Sequence, residues 1–218
     1  MNSNIQSEVH GYRSADQLKS SSQMSFNQSG LVMDAMALLR AMRIRLVAFD
    51  FDCTLVSIHT GGQWPDSAEK LAEFVRPCFR DLLPELLKCS DIHTCVVTYS
   101  PQEELIRDVL RISMKEVTDV DLLISKIVIR GNSKDFLYMH GLEAYTNGKQ
   151  LHLDFCRSHF DQTGQVPIEN NGILLIDDDV TNLKMAQENN HFAFHVDNNV
   201  NLNELVCYLN NCVQGGTC

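Results

Sequence analysis

Apolar and polar positions follow two regimes along this chain. Ile44 to Phe49, Thr94 to Thr98, Lys126 to Arg130, Gly172 to Asp177 and His191 to Val196 are short, mostly apolar runs of strand length. Between them, apolar residues recur every three or four positions, the spacing of one helix face. Val32, Ala35, Met36, Leu39 and Met42 predict a helix over Leu31 to Met42. Ala68, Leu71, Ala72 and Val75 predict another, capped by Asp66. Leu82, Leu83, Leu86 and Leu87 form a third apolar face, in a stretch that Pro77 and Pro84 are expected to break or restart.

Ser100-Pro101-Gln102-Glu103 reads as N-cap, first helical residue and capping-box partner for a helix that buries Leu105, Ile106, Val109 and Leu110. Later helices are expected at about Lys149 to Phe160, Val180 to Glu188 and Leu202 to Leu209. Strands that are apolar throughout and alternate with helices predict an α/β fold, a doubly wound, mostly parallel sheet covered on both faces. Residues 1–29 are polar and read as a flexible tail, 30–213 as one domain, and 214–218 as a short C-terminal tail.

In open sheets of this kind ligands bind outside the carboxyl ends of the strands. Chemistry-bearing residues collect there. Asp50 and Asp52 alternate with Phe49 and Phe51, so on an extended backbone the acids share one side while the aromatics pack. Two neighbouring carboxylates repel, which a cation, a lysine or a proton can offset. Thr98 ends the second strand, Lys149 follows Gly148 at a helix start, and Asp177, Asp178 and Asp179 close the fourth strand. Singly, each has a plain structural role as cap, surface charge or helix N-terminus.

Taken in order, Asp50-x-Asp52-x-Thr54, Thr98, Lys149 and Asp177-Asp178 resemble the four signature motifs of the haloacid dehalogenase (HAD) superfamily of phosphotransferases, over roughly residues 44–196. The resemblance implies a phosphatase in which Asp50 is the nucleophile and Asp52 the general acid and base. It assigns Thr98 and Lys149 to the phosphoryl group. A Mg²⁺ cofactor would sit on the Asp50 side chain, the Asp52 carbonyl, Asp178 directly and Asp177 directly or through water. Thr54 would shape the turn, Ser100, Arg130 and His59 would contact substrate, and Asp179 would cap the next helix. The spacing between motifs leaves no room for the large cap domain of many relatives. An open cleft is therefore expected, with a phosphoprotein or a small phosphomonoester as substrate. A receiver-like signalling domain, or a catalytically silent phosphate-binding protein, is the alternative.

A chain of 218 residues with 44 % apolar content suits one globular domain. Its net charge of −10 argues against nucleic acid or an anionic membrane as partner. Arg40, Arg43 and Arg45 read as a solvated basic helix end. The polar N-terminus lacks a secretory apolar stretch and the eight cysteines form no CxxC pair, so they are expected to be reduced thiols of a cytoplasmic protein.

Overall fold

The computed structural model describes residues 15–163 and 166–215. Helix α1 (Ala15–Ala41) leads into strand β1 (Leu46–Phe49), followed by a turn over 51–55, α2 (Ala68–Ala72) and α3 (Pro77–Lys88). Then come β2 (His93–Val97), α4 (Glu103–Ser113), α5 (Val120–Ser125), β3 (Val128–Arg130), α6 (Lys134–His140), α7 (Glu143–Thr146) and α8 (Gln150–Thr163). The chain closes with β4 (Ile173–Asp177), α9 (Val180–Glu188), β5 (Phe192–His195) and α10 (Leu202–Val213).

All five strands run parallel in the order β3-β2-β1-β4-β5. The order reverses between β1 and β4, whose carboxyl ends therefore flank the crevice. Val47, Phe49, Val96, Leu174, Ile176 and Phe194 face a core shared with α1, α3, α4 and α10. Leu46, Ala48, Cys95, Val97, Leu175 and Ala193 face the opposite core, built on Leu153, Cys156 and Phe160 of α8 and Leu183 and Ala186 of α9. The three central strands β1, β2 and β4 are buried on both sides, which is why their sequences show no polar alternation.

Several local expectations need correction. Helix α1 begins at Ala15 and so covers part of the stretch 1–29 read as a tail; residues 1–14, and 216–218 of the expected C-terminal tail, lie outside the described residues. No Pro interrupts 15–29, and the helix there continues from a segment anchored by Val32, Ala35, Met36 and Leu39 in the core. Pro77 sits at the first position of α3, where its missing N–H is not needed, but Pro84 lies inside the helix without ending it. Its neighbours Phe79, Leu82, Leu83, Leu86 and Leu87 are all buried, and that packing outweighs one lost backbone bond. The cap of α2 is Ser67, while Asp66 accepts from Lys70 Nζ at 2.7 Å.

The capping box at α4 does not form. Ser100 Oγ accepts from Gln102 N, the helix starts at Glu103, and Glu103 Oε1 takes the N–H of Gly131 at 2.7 Å. Gly131 passes so close to the Ser100 carbonyl that a β-carbon would lie 2.1 Å from that oxygen. Helices α6 and α7 were unforeseen; the segment holds only short apolar groupings, and Tyr138, Met139 and Leu142 point outward. Among the described residues Cys212 is disulfide-bonded, contrary to the expectation of uniformly reduced thiols, and six cysteines are free. No described helix is long and apolar enough to cross a membrane.

Candidate functional site

Strand β1 delivers Asp50 to the crevice, with its backbone N–H on the Ile176 carbonyl of β4 at 2.9 Å. Beyond it the backbone is not extended. Val56 N–H reaches back to Phe51 O at 3.0 Å, Cys53 N–H reaches Ile58 O at 3.0 Å, and Cys53 takes a left-handed φ of 56°. The turn still separates acids from aromatics: Phe49 and Phe51 are buried in the core while Asp50 and Asp52 line one cleft. Arg76, itself buried, pins the turn by donating to the Cys53 carbonyl at 2.9 Å and to Asn198 O at 3.1 Å.

The cleft has a volume of about 280 Å³ and brings Asp50, Asp52, His59, Thr98, Ser100, Lys149, Asp177 and Asp178 together from five separate stretches of chain. Lys149 Nζ donates to Asp50 Oδ1 at 2.7 Å and to the Val97 carbonyl at 3.1 Å, and sits 4.0 Å from the centre of the Tyr99 ring. Thr98 Oγ1 accepts from Ser100 N at 3.1 Å, which leaves its hydroxyl proton for an acceptor in the cleft. Asp52 is held by Thr60, through its backbone N–H and its hydroxyl, both at 3.1 Å. His59 Nδ1 accepts from Gly61 N at 2.8 Å, so a neutral ring carries its proton on Nε2 and the 3.7 Å approach to Asp52 is not a hydrogen bond.

Asp177 is fully buried and uses both oxygens: Oδ1 accepts from Asp179 N at 2.8 Å and Oδ2 from Asn182 Nδ2 at 3.1 Å. Asn182 is fixed in turn by the Tyr99 hydroxyl at 3.1 Å. Asp178 accepts from the buried Thr54 hydroxyl at 3.2 Å. Asp179 caps α9 through Thr181 N, as expected from the sequence. The neighbouring His152 is buried against Asn132, and burial with Lys149 nearby drives it down to about 3.

Charge does not balance in this cleft. Asp50, Asp177 and Asp178 present oxygens all within 4.8 Å of one another, and Lys149 supplies one positive charge among them. Burial raises the Asp50 carboxyl despite the pull of Lys149, and burial together with Asp50 raises Asp177 to about 8. Yet the two N–H donors on Asp177 are what an ionised carboxylate accepts. The hydrogen bonds fit the charged form and desolvation opposes it, so the described side chains supply less positive charge than the three acids carry when ionised. Asp50, Asp177 and Asp178 could together hold a divalent cation, which prefers oxygen ligands of this kind.

Arg130 does not join the cleft. Its guanidinium bonds Ser133 Oγ at 2.5 Å, pairs with Glu103 at 3.3 Å and lies over the rings of Phe136 and Phe155. An arginine at a strand end resembles an anion site in sequence, but here the helices that follow β3 enclose it. Thr54 lies behind Asp178 and does not line the cleft. Sequence reasoning missed Tyr99, Asn182 and Arg76. Asn182 carried a signal, in the first turn of a helix that starts directly after the acids; Arg76 carried none. No protein-family model matches this chain, and no curated protein matches it.

Proposed function

We propose that the protein is a Mg²⁺-dependent phosphatase of the haloacid dehalogenase type, hydrolysing a phosphate monoester through an aspartyl phosphate on Asp50. The observation that carries this reading is the Asp50 carboxylate, held by Lys149 at 2.7 Å at the mouth of β1, with a second carboxylate, Asp52, independently held two residues on in the same cleft. One acid fixed beside a buried cation and one fixed by neutral donors suit two different roles.

In the first step an Asp50 oxygen attacks phosphorus and the ester P–O bond breaks, while Asp52 gives its proton to the leaving oxygen. In the second, Asp52 takes a proton from water, the oxygen of which attacks phosphorus and releases inorganic phosphate, restoring Asp50. Thr98 donates its hydroxyl to the phosphoryl group and Lys149 offsets its charge. Mg²⁺ held by Asp50, Asp178 and the Asp52 carbonyl, with Asp177 beside it, would neutralise the acids and the phosphate.

The sheet order weighs against a receiver domain. Flavodoxin-like receivers order their strands 2-1-3-4-5, whereas here the order is β3-β2-β1-β4-β5. Turnover of p-nitrophenyl phosphate tests the reading. Activity that needs Mg²⁺ and disappears in Asp50→Asn and Asp52→Asn is expected. Activity indifferent to chelation, or retained in Asp50→Asn, rejects it.

A further inference from the structure

Large apolar side chains are rarely left bare in a group, and the described residues hold one such group beside the cleft. Tyr138 is 92 % exposed, Met139 64 %, Leu142 81 % and Tyr145 51 %, all within α6, α7 and the turn between them. This segment leaves the sheet at the carboxyl end of β3 and returns at Lys149, so both its ends are anchored on the edge of the sheet that carries the cleft. The Tyr145 ring lies 5.8 Å from that of Tyr99, which lines the cleft and covers Lys149. Bare apolar surface and reacting centre are thus joined through one aromatic pair.

The continuity sets what covers this surface: the same molecule that places a phosphoryl group at Asp50. Steps of 2.7 Å from Asp50 to Lys149, 4.0 Å from Lys149 to the Tyr99 ring and 5.8 Å from there to the Tyr145 ring bound the separation, and at about 3.3 Å per residue an extended peptide spans it in about four residues. Charge narrows the choice further. Asp179 lines the cleft, α6 and α7 expose the acids Asp135 and Glu143 against one lysine, Lys134, and the whole chain carries −10. Such a rim repels an anionic lipid surface and attracts a basic side chain.

Building on the phosphatase reading, we propose that Met139, Leu142 and Tyr145 form a docking platform for a phosphorylated polypeptide that carries an apolar side chain within about four residues of the phosphoresidue, in a basic context. The platform selects substrate; it takes no part in the chemistry.

A set of nine-residue phosphoserine, phosphothreonine and phosphotyrosine peptides in an Ala/Lys background, with Leu scanned through each flanking position, tests this in the full-length protein. Some Leu position should raise kcat/KM at least tenfold over its Ala counterpart, mainly through KM. Met139→Ser/Leu142→Ser should erase that gain, with its melting temperature and p-nitrophenyl phosphate turnover serving as controls for the fold and the cleft. No Leu preference, or a preference that survives the double substitution, overturns the proposal. So does faster turnover of phosphatidate vesicles than of every peptide, or a dimer that the double substitution splits. Binding of the same peptides, as fluorescein-labelled phosphonates, separates this from the phosphatase reading. Leu-dependent binding lost in the double variant upholds the platform even if no ester is cleaved, and its absence rejects the platform even if esters are.

Discussion

Lys149 Nζ and Asp50 Oδ1 lie 2.7 Å apart across a sequence separation of 99 residues, and both side chains are almost wholly removed from solvent. Removing one partner strands a buried charge. Lys149→Met is expected to destabilise the fold by about 3 kcal/mol, the scale for breaking a buried pair. Lys149→Met/Asp50→Asn should be less destabilised than Lys149→Met alone, because no charge is then left unpaired. Denaturant unfolding of the four proteins checks this, and additive losses would contradict the pairing.

Asp177 ties stability to pH. Its folded-state carboxyl is raised to about 8, by burial first and then by Asp50, whereas an unfolded aspartate loses its proton near about 4. Between those values the folded state holds the extra proton, so stability falls as pH rises toward 8. His93, His152 and His191 are pushed down by burial and lose stability as pH falls below about 6.5, the opposite trend, so the clean window is about pH 6.5 to 8. In chelator, the melting temperature should drop across that window; Mg²⁺ should flatten the drop, and so should Asp177→Asn. A flat wild-type profile in chelator would contradict an unbalanced cluster.

Thr60 gives Asp52 two donors, and Thr60→Val removes one of them without disturbing the backbone. A hydrogen bond to a charged group is worth about 1.5 to 3 kcal/mol, so kcat on p-nitrophenyl phosphate should fall at least about tenfold while KM stays within about twofold. A change confined to KM would place Thr60 on the substrate instead.

Arg130 is committed to Glu103, Ser133 and two rings, away from the cleft. Arg130→Ala should cost about 1 to 2 kcal/mol of stability through lost packing and cation–π contact, and leave KM for a small ester unchanged. A KM rise with unaltered stability would restore it to the site.

The strands were legible because a parallel sheet demands apolar residues on both faces, and the five such runs in the sequence are the five strands of the sheet. The cleft residues were legible because strand ends in this fold converge, so Asp50, Thr98 and Asp177 had one place to meet. What failed was contact-dependent. The capping box at Ser100 was displaced by the close passage of Gly131, which no local pattern announces. Pro84 stays helical because of packing that only the folded core supplies. Arg130, Tyr99 and Arg76 depend on which distant groups arrive beside them, information that spacing along the chain does not carry.

Gly148 turns the chain into Lys149 with a φ of 55°, and a β-carbon there would come within 3.0 Å of Met185 Sδ. Gly148→Ala is therefore strained in its backbone before any contact is counted. It should cost about 1 to 2 kcal/mol and, by shifting Lys149, lower kcat more than tenfold. Full activity in a destabilised Gly148→Ala protein would separate the turn from the position of Lys149.

In the proposed chemistry Asp50 becomes phosphorylated. Borohydride reduction during turnover, followed by peptide mass spectrometry, reads it directly, because a reduced aspartyl phosphate is left as homoserine. Homoserine at position 50, formed only with substrate and absent from Asp50→Asn, is the predicted result. Turnover with no such product at 50, or with the product at another aspartate such as Asp52 or Asp178, would rule out Asp50 as the nucleophile.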